Sequence, residues 1–132
     1  MSVDPRGLLP ISQQSLTVYN SVAYHEYEGV FFWADEEQRL VESIGDKSIL
    51  ILKNHGLVAT ANNIASCFSR MYMLESACAI QCKAVDNPIL IDQQSINRSM
   101  NQSLEGSNSR STVLMWKSLL RKLEKSCPEY KN

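Results

Sequence analysis

The 132 residues contain no long apolar run, no excess of charge of either sign, and only two histidines, His25 and His55. Each shortage excludes something. No apolar stretch approaches the ~20 residues that a bilayer-spanning helix needs, so membrane insertion is not expected. Lys and Arg total 13 against 14 Asp and Glu, a net charge of −1, which gives no bulk electrostatic grip on nucleic acid or an anionic membrane. The opening Met1-Ser2-Val3-Asp4-Pro5-Arg6-Gly7 lacks the apolar stretch of a secretory signal, so a cytoplasmic protein is expected. No internal repeat is found. What is present is ordinary globular composition, 44% hydrophobic and 20% charged, with one domain's worth of chain across 1–132.

The four cysteines are Cys67, Cys78, Cys82 and Cys127. The first three fall on one predicted helix, and Cys78 and Cys82, four residues apart, share a face. In a chain read as intracellular these are expected to be core thiols rather than bridges or metal ligands.

Along the chain, Ser12 offers an N-cap, and Leu16, Tyr19, Ala23 and Tyr27 keep helical spacing, which predicts a helix from Pro10 to Tyr27. Gly29 would end it, and Val30-Phe31-Phe32-Trp33 suits a strand. Asp35 with Gln38 has the spacing of a capping box for a short helix through Leu40, Val41 and Ile44, closed by Gly45. Ile49-Leu50-Ile51-Leu52 reads as a strand buried on both faces. Asn54 and Gly56, both tolerant of positive φ, then turn the chain into an antiparallel return over Leu57–Thr60. From Asn63 to about Val85 an apolar stripe of Ile64, Cys67, Phe68, Met71, Leu74, Cys78 and Cys82 predicts a long helix. Asp86-Asn87-Pro88 stops it, and 86–111 is a polar connection, mobile or weakly helical. A last helix, about Arg110 to Lys125, is expected to bury Val113, Trp116, Leu119, Leu120 and Leu123. Its basic row Lys117, Arg121 and Lys125 reads as a solvated face, with a phosphate-binding stripe as the alternative.

The histidines are the candidates for chemistry. His25 falls near the end of the first predicted helix, where the dipole and neighbouring carboxylates favour its charged form. No second catalytic group accompanies it, so a structural or surface role carries more weight. His55 follows a buried strand, in Asn54-His55-Gly56, where a rigid scaffold can present a metal ligand. A polar turn is the other reading of the same residues.

Several runs carry a resemblance. Gly7-Leu8-Leu9-Pro10-Ile11-Ser12-Gln13, Val22-Ala23-Tyr24-His25-Glu26-Tyr27-Glu28-Gly29 and Ile49-Leu50-Ile51-Leu52-Lys53-Asn54-His55-Gly56-Leu57 appear in that order. Phe68, Met71-Tyr72-Met73-Leu74-Glu75, Trp116–Leu123 and Pro128-Glu129-Tyr130 follow. Together they resemble the class II aldolase/adducin family in its adducin-like branch, over its C-terminal half. The resemblance implies an α/β fold: an incomplete α/β/α layered domain with a small, largely antiparallel sheet and several flanking helices, in a family that commonly forms homotetramers. Its enzymes use zinc to cleave, form or epimerise sugar phosphates, the metal stabilising an enediolate. Of the family's three zinc-binding histidines, the one in Asn-His-Gly corresponds to His55. The other two belong to a His-x-His pair upstream of the Gly-Leu-Leu-Pro run, with an acidic residue nearer the N-terminus.

This sequence departs from that pattern. Met1 falls just after the place of the His-x-His pair, and Ala61 stands where relatives carry Gly. One ligand histidine does not hold catalytic zinc, which takes three protein ligands plus water. The expected function is therefore a truncated or degenerate family member without catalysis of its own, acting through self-association or partner binding. The alternative is the C-terminal half of a zinc-dependent lyase, completed by a missing N-terminal half. A helical interaction module unrelated to aldolases leaves the Asn-His-Gly connection unexplained. Uncovered strand edges at Val30–Trp33 and Ile49–Leu52 are expected to make the chain a homo-oligomer.

Overall fold

A computed structural model describes residues 1–30, 35–104 and 110–131. The chain forms α1 (Gln13–Val18), a 3-10 turn (Tyr19–Ser21), β1 (Val22–His25), α2 (Glu36–Ile44), β2 (Ile49–Leu52), β3 (Gly56–Ala59), α3 (Ile64–Lys83), α4 (Gln93–Leu104), α5 (Arg110–Ser126) and a closing 3-10 turn (Pro128–Lys131). The aliphatic run Ile49-Leu50-Ile51 is 0–2% exposed and makes β2 the central strand. β1 pairs with it in parallel, Val22 opposite Ile49 and His25 opposite Leu52, and β3 pairs antiparallel, Gly56 opposite Leu52. The sheet is small and mixed, in the order β1-β2-β3. Parallel strands need a crossover connection, and α2 supplies it.

Alternation along the strands sorts the helices onto two faces. Ile49 and Ile51 point into a core with Leu8, Val18, Leu74, Ala77 and Cys78, which brings α1 and α3 to one side. α2 packs on β1 and β2, and its Ser43 meets His25, which shares the pleat face of Leu50 and Leu52. The result is the layered α/β arrangement the resemblance implies.

Local chemistry explains the boundaries. Ser12 and Ser15 form a reciprocal capping box at α1, and Asn63 accepts from the Ser66 N–H at 2.8 Å to start α3. Gly45 ends α2 at φ 53°. Asp35 precedes α2 without a side-chain cap, because its carboxylate binds Arg39 instead. Within the polar stretch 86–111 the chain forms α4, started by the Asp92 carboxylate accepting from Ser95 and anchored by Ile96, which is buried.

Four expectations are corrected. The helix predicted from Pro10 to Tyr27 stops at Val18, and Val22–His25 is a strand. Val22 and Tyr24 alternate with Ala23 and His25 at period 2, and the free edge of β2 rewards that alternation over helical spacing. The α3 stripe is rotated: Leu74, Ala77, Cys78 and Gln81 are buried, whereas Ile64, Phe68 and Cys82 are exposed. α5 buries no residue fully, and Val113 and Leu123 are exposed. Ile49–Leu52 is no open edge, being paired on both sides; among the described residues the outer strands are β1 and β3. Phe31–Trp33, expected as a strand, lies outside the described residues.

Candidate functional site

The C-terminal ends of β1 and β2 meet the β2–β3 turn at one end of the sheet. Asn54 takes the left-handed conformation at φ 57°, and the His55 N–H donates to the Leu52 carbonyl at 3.1 Å. Gly56 stays out of the positive-φ region, contrary to expectation, and so does Ala61, whose residue type therefore carries no backbone penalty. His55 itself is exposed at the turn. The Asn54 N–H donates to the Ser2 carbonyl at 3.0 Å, which lays the first residues of the chain beside that turn.

The N-terminal loop is held there by a network whose centre the sequence reading did not single out. Gln81 of α3 is buried; its Oε1 accepts from the Leu9 N–H at 2.8 Å, and its Nε2 donates to Asp4 at 3.0 Å and to the Gly7 carbonyl at 2.9 Å. The available signal was position: Gln81 follows Leu74 by seven residues and Ala77 by four, on the core stripe. Arg6 binds the Asp4 carboxylate and donates to the Asp86 carbonyl, and its hydrogen bonds hold the Asp4 carboxyl well below the usual carboxylate range. Tyr24 closes the loop from the sheet, its hydroxyl accepting from the Leu8 N–H at 2.8 Å. Between loop and sheet lies a cavity of about 240 Å³ whose lining includes Ser2, Arg6, Tyr24 and Lys53.

His25 does not sit at a helix end. It lies on β1, 7% exposed, and its Lys53-facing carbonyl ties β1 to the turn at 2.9 Å. Its Nδ1 meets the Ser43 hydroxyl of α2 at 2.9 Å, whereas Nε2 has no hydrogen-bond partner among the described residues and stands 3.5 Å from the Glu28 carboxylate. Glu28 in turn accepts from Arg39, whose guanidinium holds it below the ordinary carboxylate range. The two histidines are thus carried to the same end of the sheet, but His25 is committed to a packed network between β1 and α2.

Zinc chemistry needs a donor set, and the donor set is incomplete here. Among the described residues no group of three or more His, Cys, Asp or Glu is arranged to hold a metal ion. The described residues therefore do not fit a catalytic zinc by themselves. Two of the cysteines are already committed: Cys78 is buried and its thiol pushed up to about 11 by burial, and Cys67 donates to the Ala59 carbonyl. No helix among the described residues is long and apolar enough to cross a membrane.

The core, the turn and the loop network together define the chain's class. The family model for the class II aldolase and adducin N-terminal domain matches residues 1–82, and the chain belongs to this family. A Caulobacter vibrioides protein named for aldolase class 2 is 36% identical over 134 residues, covering 98% of this chain and 52% of the relative. Alpha-adducin of Rattus norvegicus is 39% identical over 95 residues, 65% of this chain and 12% of the adducin. The crystal structure of an aldolase II superfamily protein from Pseudomonas syringae superposes with a TM-score of 0.91 at 34% identity, covering 99% of this chain and 54% of that one. L-fuculose 1-phosphate aldolase from Glaciozyma antarctica shares the fold, with a TM-score of 0.71 at 21% identity over 89% of this chain and 45% of that one. The chain spans about half the length of the bacterial relatives it matches.

Proposed function

We propose that this chain is a truncated or degenerate class II aldolase/adducin-family domain without catalysis of its own, acting through association with a second copy or another protein. The observation that carries the reading is the donor set: His55 stands exposed at its turn, and the other histidine is buried against Ser43. The association half rests on surface. Ile64, Phe68 and Tyr72, spaced by four residues on α3, are exposed, and Phe68 and Tyr72 stack at 6.4 Å between ring centres. Val113 and Leu114 of α5 are exposed as well. Apolar surface of this kind is what associating proteins cover.

A second reading is favoured by the Ser2–Asn54 hydrogen bond. It sets Ser2 against the turn that carries His55, and the Met1 amino group stands 3.7 Å from Cys82 Sγ, so that polypeptide joined ahead of residue 1 would leave between that turn and the end of α3. In this reading the chain is the C-terminal half of a zinc-dependent lyase acting on sugar phosphates, and an upstream His-x-His segment completes the site around His55. Zinc analysis after dialysis, with light scattering on the same cytoplasm-like neutral sample, separates the two. The first reading expects less than stoichiometric zinc on the chain and a mass above the monomer. Tight, stoichiometric zinc on the chain by itself would overturn it, as would a clean, cooperatively folded monomer that captures no partner. The second expects stoichiometric zinc only when the upstream segment is fused or added, and His55→Ala to abolish it.

A further inference from the structure

A net charge of −1 conceals a strong segregation of charge between two helices. α5 carries Arg110, Lys117, Arg121, Lys122 and Lys125 against Glu124, and each of these cations is exposed. Lys117, Arg121 and Lys125 recur every four residues, so like charges line one side of the helix and repel one another. α2 and the residue before it carry Asp35, Glu36, Glu37 and Glu42 against Arg39, which is already bound to Glu28 and Asp35. Both helices also hold charge at the wrong pole of the dipole. Glu42 sits in the last turn of α2, which has no basic residue, and Arg110 opens α5, whose first turn has no acidic one. Apolar residues are set into both sides: Val113 and Leu114 are exposed on α5, and Val41 is exposed on α2 between Glu37 and Glu42.

The fold keeps these two surfaces apart. α5 packs on α3, which covers the sheet face of Ile49 and Ile51, whereas α2 covers the opposite face, where Ser43 meets His25. Neither helix can neutralise the other within one chain. We propose that the basic side of α5 in one copy docks on the acidic side of α2 in the next, with Val113 and Leu114 set against Val41. This docking rests on the self-association reading above and gives it one partner, a second copy, and two named faces.

Charge complementarity selects the occupant. An anionic membrane or other polyanion would match α5 and leave the carboxylates of α2 facing solvent, whereas a second copy matches both helices at once. The near-zero net charge also lets copies approach without bulk repulsion. Because two different patches meet, the contact is heterologous: each pair leaves one acidic and one basic helix open, and the series ends only by closing into a ring. Exposed ion pairs give such a contact its register, and the apolar residues at its centre supply the burial.

Sedimentation velocity and light scattering on the full chain at neutral pH test the docking in about 0.1 M and about 1 M sodium chloride, where the screening length falls from ~10 Å to ~3 Å. Association is expected to weaken by about ten-fold or more at the higher salt, since exposed ion pairs are screened and apolar contact is not. Lys117→Glu with Arg121→Glu, and separately Glu37→Lys with Glu42→Lys, are each expected to weaken it by about ten-fold or more at the lower salt. These positions are exposed, and far-ultraviolet circular dichroism checks that each variant keeps its helices. One chain carrying all of these substitutions retains the net charge of −1 and is expected to associate as the unaltered chain does. Association that survives high salt and both reversals overturns the docking and leaves self-association standing on the α3 surface. Failure of the combined variant to recover what each reversal lost overturns the pairing of α5 with α2. A monomer in both salts overturns the docking and self-association together. Binding of that monomer to anionic phospholipid vesicles, lost with Lys117→Glu and Arg121→Glu, would assign α5 to a membrane surface instead.

Discussion

Gly7→Ala is the sharpest probe of how the N-terminal loop is fitted to the sheet. Gly7 has φ +68°, and a Cβ built there would lie 2.5 Å from the Tyr24 hydroxyl oxygen and 2.9 Å from its ring carbon. Two penalties follow. The left-handed backbone costs an alanine about 1 kcal/mol relative to glycine. The clash is relieved only if the Tyr24 ring swings away, which its partial exposure permits but which breaks the 2.8 Å bond from the Leu8 N–H. A part-buried N–H left without an acceptor adds about 1 to 2 kcal/mol. The total loss expected in urea denaturation is about 2 to 3 kcal/mol. A double-mutant cycle assigns the parts: in a Tyr24→Ala background the clash is absent and the bond already lost, so Gly7→Ala should cost only the backbone portion, about 1 kcal/mol. If Gly7→Ala costs the same in both backgrounds, the close approach of Tyr24 plays no part and the reasoning fails.

Gln81→Glu puts a carboxylate where an amide donates to Asp4 and to the Gly7 carbonyl, so a loss of about 2 to 4 kcal/mol is expected near neutral pH, recovering as acid protonates the new group. The native chain should behave in the opposite sense: Asp4 is depressed by Arg6, so its contribution is present above the ordinary carboxylate range and lost as pH falls through its lowered folded value. Denaturation profiles of both proteins from about pH 3 to about pH 7 check the crossing slopes, and parallel slopes would refute the placement of Gln81. Thiol labelling near pH 8 should modify exposed Cys82 quickly and leave Cys78, raised to about 11, protected until the chain unfolds. Equal labelling of the two in the native chain would show that the α3 face is assigned wrongly.

Legibility in the sequence followed the strength of the local signal. Ile49–Leu52 was readable because four aliphatic residues between turn formers have one natural place, the sheet centre. The Ser12 cap was readable because capping is local chemistry. Val22–His25 was not, since Tyr19, Ala23 and Tyr27 happen to satisfy helical spacing, and only the parallel partner, 27 residues on in the register, decides for a strand. The same error hid the environment of His25, whose burial depends on α2 crossing over β1. Gln81 escaped notice because a polar residue on a core stripe reads as a boundary until the loop it satisfies is in place. The turn carrying His55 was legible as a turn from Asn54, which takes the left-handed conformation there; its neighbours in space, Ser2 above all, come from tertiary contacts.

Under the proposed reading, association would draw on surfaces other than those the sequence suggested. A strand paired on both sides cannot template another chain, so Ile49–Leu52 contributes core rather than stickiness. The outer strands β1 and β3 have four residues each, and such short edges are weak templates. β1 is further restrained by the Tyr24 bond to the loop and by Lys53 paired with Glu26 beside it. The exposed apolar residues of α3 are different, because their spacing by four residues aligns Ile64, Phe68 and Tyr72 on one helical face and Phe68 also contacts Trp116 of α5 at 5.8 Å. Aromatic side chains already held by one another lose little rotamer freedom when a partner covers them, so more of the apolar burial is retained as binding free energy. Association of this chain is therefore expected to run through helix faces, leaving the sheet and its histidines to the fold's interior and to the turn.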